Sequence, residues 1–276
     1  MTTSTTALRL RGGRSVASAR LEPLLWGTAG IVVLAALLEI LPLSGLVNRT
    51  YFPPLHEWLV ALADLAVAPS GAFWTALGST VLGWLIGLAI ATIGGVVLGV
   101  VIASLPVVDR LLSSTIEFLR PIPSVALVPL AAILFGASAN ATLLLVVYAS
   151  LWPILIQVVY GVRDVDRVGL ETARTYRLGM RRTVSSIVTP SMLPYLVIGI
   201  RLSATIALIL EITGELVIGS PGIGKIILLA QSSANYAVLY GLVLVTAVLG
   251  VLINIGTRAA EKRVLFWHAS VRSEGV

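Results

Sequence analysis

Residues 73–105 read FWTALGSTVLGWLIGLAIATIGGVVLGVVIASL, thirty-three positions without a charged side chain. Hydrocarbon offers no partner to a backbone N–H or C=O, so a segment living there must satisfy these groups internally, as a helix does. The run exceeds the roughly 20 residues that one upright helical span requires, so it must tilt or extend beyond the lipid. Gly83, Gly87, Gly94, Gly95 and Gly99 include pairs four apart. Such spacing removes side chains from one helical face and lets a second helix approach closely.

Working outward, further apolar segments lie at 24–46, 125–135, 141–160, 195–218 and 236–255. The segment at 125–135 is short unless it starts near Ile116. The expected fold class is all-α, a polytopic membrane protein with about six transmembrane helices. Composition agrees. Apolar residues make up 57% of the chain and charged residues 12%, about half the usual charged share, too little to clothe a soluble domain. The expected organisation is a basic tail at 1–23, then a first span and an external interfacial segment at 24–70. A core follows at 71–260, carrying a polar insert at 161–194, with a second tail at 261–276.

Charge distribution orients the spans. With the N-terminus inside, the cytoplasmic segments hold Arg9, Arg11, Arg14, Arg20, Arg110, Arg120, Arg163, Arg167, Arg174, Arg177, Arg181, Arg182, Arg258, Lys262, Arg263 and Arg272. The external loops hold only Arg49 and Lys225. This positive-inside asymmetry places both termini in the cytoplasm. The N-terminal arginines flank no apolar core, so they read as a tail and not as a cleavable signal.

Several functions are excluded. The basic residues sit between apolar spans instead of forming one stripe, which argues against nucleic acid. The chain has no cysteine, so thiolate chemistry and Cys-based metal sites are absent. His56 and His268 are too far apart in sequence to suggest a metal cluster. No phosphate-binding loop is present, and Gly222-Ile223-Gly224-Lys225 echoes only part of one.

The insert GVRDVDRVGLETARTYRLGMRRTVSSIVTPSMLP, residues 161–194, is too long for a link between neighbouring helices. A charged helix from Arg163 to Met180, a turn near Gly179 and a second short helix ending before Pro190 would present a surface to a partner. A basic loop resting on anionic headgroups is the alternative that composition leaves open.

At these residues the chain resembles the permease subunits of binding-protein-dependent ABC importers. Glu171-Thr172-Ala173, a polar helix and Ile187-Val188-Thr189-Pro190 are similar to that family's EAA loop. Two positions depart from it: Arg177 stands where a glycine is expected, with Gly179 two places on, and Thr189 replaces a leucine. Glu117 to Pro123, Gly199 to Leu202, Gly214-Glu215-Leu216, Gly222-Ile223-Gly224 and Glu261-Lys262-Arg263 with Trp267 resemble one branch. Its permeases serve nitrate, taurine, aliphatic sulfonates and thiamine precursors.

The resemblance implies a type I ABC importer permease fold. It implies docking onto a separate ATPase dimer, which holds ATP and Mg²⁺, through Glu171, Thr172, Ala173, Arg174, Arg177, Gly179 and Pro190. Ala173 is expected on the docking face because a small side chain permits close approach. It further implies an extracytoplasmic substrate-binding protein, no cofactor in this chain, and a bacterial cytoplasmic membrane location. The cargo would be a small anionic or heteroaromatic nutrient. Six spans form half of a two-fold path, so a second copy of the chain is expected. A secondary carrier or channel, uncoupled from ATP, is the competing class.

Charges inside spans are the remaining signal. Glu211 and Glu215 share a helical face, and a carboxylate in hydrocarbon persists only when paired, hydrated or protonated. They could gate or line the path, pair with Arg201 or with backbone groups across the dimer, or lie at the membrane interface. Arg201 stands about 15 Å along the helix from Glu211, too far for pairing within it. Arg120, before Pro121-Ile122-Pro123, is read as a headgroup anchor or structural residue at the cytoplasmic start of a helix near Ser124.

Overall fold

The computed structural model describes residues 16–267, with side chains from Leu25 onward. Arg9, Arg11, Arg14, His268 and Arg272 lie outside the described residues, as does the side chain of Arg20. In chain order come α1 (Val16–Leu43), α2 (Leu55–Val67), α3 (Ala72–Ser104), α4 (Pro106–Leu119), α5 (Val128–Phe135), α6 (Ala139–Arg163), α7 (Arg167–Thr175), α8 (Met180–Thr183), α9 (Thr189–Ile218), α10 (Ile223–Ser232) and α11 (Tyr236–Val264). No strand occurs among the described residues.

Five helical stretches are long and apolar enough to cross a membrane: Leu25–Leu43, Ala72–Ser104, Ala139–Arg163, Met180–Ile218 and Tyr236–Val264. A further helix pair passes that test only when taken together, as a broken span or a re-entrant loop. α4 and the helical stretch Ser124–Phe135 are apolar enough together, but they meet at a bend of 85°. The short stretch expected at 125–135, or from near Ile116, is preceded by a helix that begins at Pro106 and runs past Ile116. Prolines at 121 and 123 supply no N–H and end the helix. Pro123 is extended, and the chain restarts as a 3-10 turn at Ser124.

The chain divides by internal contacts after Val60. In the first unit, the loop after α1 is pinned at its base. His56 N donates to Glu39 (3.1 Å) and its Nδ1 lies 2.6 Å from the other carboxylate oxygen. Trp58 Nε1 donates to the Pro53 carbonyl (2.7 Å).

The second unit is built on α3, α6 and α9. A β-carbon at Gly87 would meet Val146, one at Gly95 would meet Ile154, and one at Gly99 would meet Val158. These pairs keep a constant offset, so α3 and α6 run parallel. Gly161 faces Met192 and Gly199 faces Ile154, an antiparallel register for α9 on α6. Polar ties join these helices: Ser203 Oγ on α9 donates to the Ser150 carbonyl on α6 (2.6 Å), and Trp84 Nε1 on α3 to the Ala204 carbonyl on α9 (2.8 Å). Because α3 and α6 are parallel, residues 105–138 must carry the chain back along the bundle. α4 and α5 do this.

Candidate functional site

The polar insert folds as a compact helix–turn–helix. Asp166 caps α7 by accepting from Val168 N (3.0 Å), and Tyr195 Oη donates to Asp164 (2.6 Å), tying the insert to α9. α7 ends in a Schellman turn. Leu178 N donates to the Ala173 carbonyl (2.8 Å) and Arg177 N to the Arg174 carbonyl (3.0 Å).

The residue at the left-handed position of this turn is Arg177, with φ of +50°. That is the position where the resemblance expects glycine. The turn therefore keeps its place without glycine, although a β-carbon is strained in this conformation. The sequence reading put the turn near Gly179; Gly179 instead has φ of −63° and precedes α8.

The second helix does not stop before Pro190. It passes from α8 through a π turn at Val184–Val188 directly into α9. Thr189 N reaches back to the Val184 carbonyl. The wider turn leaves room for the ring of Pro190, whose missing N–H needs no partner. Ala173 is a second correction. It is 2% exposed and faces into the chain, not towards a partner. Glu171, Thr172, Arg174, Arg177, Gly179 and Pro190 are exposed. Beside them stand Val168, Tyr176 and Met180, at 66%, 75% and 80% exposure. Hydropathy reading missed these three because isolated apolar residues in a charged segment carry no periodic signal.

The membrane glutamates are both buried, Glu211 at 4% and Glu215 at 0% exposure. Glu215 accepts from Thr80 Oγ1 (2.7 Å) and from Gly224 N (2.9 Å). Thr80 Oγ1 in turn accepts from Ile223 N (2.9 Å). A carboxylate from α9 and a hydroxyl from α3 thus cap the N-terminus of α10, whose own N-cap residue, Gly222, has no side chain. A β-carbon at Gly222 or Gly224 would collide with Glu215. The glycines read from sequence as part of a connector make space for this cap. Glu211 packs against Gly83, where a β-carbon would strike the carboxylate, and its Oε2 has no hydrogen-bond partner among the described residues.

Arg201 joins neither glutamate. Its Nη1 lies 3.1 Å from Glu261 Oε2 on α11, which fastens α9 to α11. Within one chain Arg201 thus stands apart from Glu211 and Glu215.

Comparison with known proteins agrees with this architecture. The profile of the binding-protein-dependent transport system inner membrane components matches residues 95–266. The chain is 25% identical over 252 residues to the taurine transport system permease protein TauC of Escherichia coli K12, covering 89% of this chain and 91% of that protein. It is 27% identical over 244 residues to the bicarbonate transport system permease protein CmpB of Synechocystis sp., covering 84% and 86%. Among solved structures, an amino acid ABC transporter superposes with a TM-score of 0.59 at 17% identity, covering 70% of this chain and 94% of that one. The inward-facing MetNI methionine ABC transporter superposes at 0.56 with 18% identity, covering 70% and 94%. With the family profile spanning most of the bundle and the helical architecture in agreement, this chain belongs to the binding-protein-dependent transport system inner membrane components, the membrane-spanning permeases of ABC importers.

Proposed function

We propose that this permease forms the path of an ATP-driven importer whose α7–α8 segment seats on a separate ATPase subunit. One observation carries the reading: Val168 and Tyr176 stand exposed on the charged α7 and the turn after it, outside the apolar spans, and Met180 stands exposed at the first residue of the stretch Met180–Ile218. Apolar and aromatic side chains ringed by charge are the usual anchors of a protein interface. Glu171, Arg174 and Arg177 supply that rim. Ala173, Gly179 and Pro190 shape the segment and do not anchor it.

The ATPase dimer holds ATP and Mg²⁺, and this chain contributes geometry without bond chemistry. Both termini lie in the cytoplasm of a bacterial cell, as the positive-inside asymmetry favours. Two copies form the path, and an extracytoplasmic binding protein delivers the cargo. The names of the relatives, which include taurine and bicarbonate permeases, support a small anion as that cargo. Glu215 braces α10, and Glu211 is sealed beside Gly83, so neither is an open cargo ligand in this conformation.

The test is co-expression with the ATPase subunit and binding protein of the same transport system. The unsubstituted chain should retain the ATPase through purification, and binding protein should stimulate ATP hydrolysis in liposomes. A Tyr176→Asp, Met180→Asp double variant should lose the ATPase while its helices still fold. Retention of the ATPase by the double variant, or hydrolysis indifferent to the permease, would overturn the reading.

A further inference from the structure

The helix pair of the insert meets the bundle at two links, and neither is α-helical. One is the turn at 164–166 between α6 and α7. The other is the π turn at Val184–Val188 between α8 and α9. Tyr195 Oη donates to Asp164 (2.6 Å), which ties the first link to α9. The π turn has no such tie to the bundle. Its neighbour is α7 itself, where a β-carbon on Gly169 would touch Ile187.

Proline chemistry explains the π turn. In an α-helix the carbonyl of residue i accepts from the N–H of residue i+4. Residues 190 and 194 are proline and have no N–H, so the carbonyls of Ser186 and Pro190 lack that donor. The two missing rungs are four residues apart and stack on one helical face. Thr189 N reaches past Ser185 to the Val184 carbonyl and closes the wider turn. Ser186, Ile187, Pro190 and Pro194 line a cavity of about 720 Å³ together with Asp164 and Leu265. The weakened stretch therefore has room beside it.

Packing divides the long helix at the same place. No residue from Met180 to Ser191 is buried, a length of about 18 Å at 1.5 Å per residue. From Met192 onward α9 is gripped: Met192 is buried, Gly199 lies against Ile154, and Ser203 Oγ donates to the Ser150 carbonyl (2.6 Å). Sharp bends in helices collect at prolines and π turns, and π turns recur at functional sites.

We propose that this stretch is the joint of the coupling segment. Pro190 is a positioning residue that keeps Val184–Val188 out of the α pattern, so that the α7–α8 pair swings against α9 when the ATPase closes. The inference rests on the importer reading above and deepens it by naming where the docked segment flexes.

Because the chain has no cysteine, pairs of introduced cysteines carry spin labels without a background. Arg182→Cys with Leu202→Cys spans the joint, about 30 Å along the helix. Leu202→Cys with Val217→Cys lies wholly within α9. All three positions are exposed. Labelled chains, diluted in unlabelled ones so that only pairs within one chain are read, are combined with the ATPase subunit in liposomes. Double electron–electron resonance then compares the nucleotide-free complex with one trapped by ATP and vanadate. The 182–202 separation should shift by at least about 2 Å, more than the rise of one helical residue, while the 202–217 separation stays. Pro190→Ala supplies the N–H that the Ser186 carbonyl lacks and should abolish the shift. In the permease alone it should also narrow the 182–202 distribution, a reading that needs no ATPase contact.

A 182–202 separation that stays fixed while the trapped complex forms would overturn the joint. A P190A chain whose distribution is as wide as the parent's and shifts as the parent's does would overturn the role of Pro190. Failure of the ATPase to co-purify with the unsubstituted chain would instead sink the importer reading, and the joint would still be judged by the distribution in the permease alone.

Discussion

Replacing Thr80 by valine keeps the branched shape of the side chain but removes the hydroxyl that joins α3, α9 and α10. In the folded chain that oxygen donates to Glu215 (2.7 Å) and accepts from Ile223 N (2.9 Å), and all three residues are 0% exposed. Valine would leave one carboxyl oxygen and one backbone N–H buried without these partners. Each orphaned group costs about 1–3 kcal/mol, so T80V should destabilise the permease by about 3 kcal/mol. That is on the order of a hundredfold in the unfolding constant. Thr80→Ser keeps both hydrogen bonds and should lose less than about 1 kcal/mol, the value of a small packing defect.

The assay is equilibrium unfolding in mixed detergent micelles, followed by tryptophan fluorescence, with ATPase retention measured in parallel. T80V within about 0.5 kcal/mol of the parent, inside the ordinary range of surface substitutions, would refute the capping argument. So would a T80S variant as unstable as T80V. A T80V chain of normal stability with altered transport would make Glu215 a gate instead of a brace.

Three further predictions follow from particular contacts. Arg177→Gly relieves a left-handed β-carbon and should stabilise the α7–α8 turn by about 0.5–1 kcal/mol; Ala234→Gly, at φ of +55° in a second turn of the same hydrogen-bond pattern, should do likewise, read as slower thermal inactivation. Gly95→Val places bulk where a β-carbon already approaches Ile154 to 2.8 Å; it should cost about 1–3 kcal/mol by parting α3 from α6, whereas Gly78→Ala, with nothing near its β-carbon, should behave as the parent. Arg201→Glu should weaken the α9–α11 contact through repulsion with Glu261, and the exchanged pair Arg201→Glu, Glu261→Arg should recover most of the loss in a double-mutant cycle. No recovery would mean that Arg201 acts elsewhere.

The bundle was legible in the chain to the extent that apolar length reports it. The stretches at 141–160, 195–218 and 236–255 fall inside helices of the structure, and 73–105 does so except for its last residue, Leu105. The stretch around 106–135 was legible only in its α5 half, because α4 carries Asp109, Arg110, Ser113 and Glu117 among its apolar residues. The insert at 161–194 was legible as a polar anomaly, and the Glu171-to-Pro190 pattern pointed to its kind. Its internal geometry was not. Whether Ala173 faces inward, and whether a helix ends at Pro190, depends on how α7 folds back on the segment after α8, where Gly169 meets Ile187, and on a single π turn.

What the sequence by itself determined is the solvent and the class. Long runs without charge can only be helices in lipid, because backbone groups there have no other partner. A lone polar insert in such a chain stands out against the apolar runs on either side. Those are additive, local properties, readable residue by residue. Only the tertiary structure decided who meets whom. It set Thr80 and Glu215 on the first turn of α10, gave Arg201 to Glu261, held Arg177 in a left-handed turn, and placed Arg120 at the end of α4, before the break that precedes α5. Each is a pairing between distant segments, fixed by helix register and by glycines that permit close approach, and hydropathy carries no information about register.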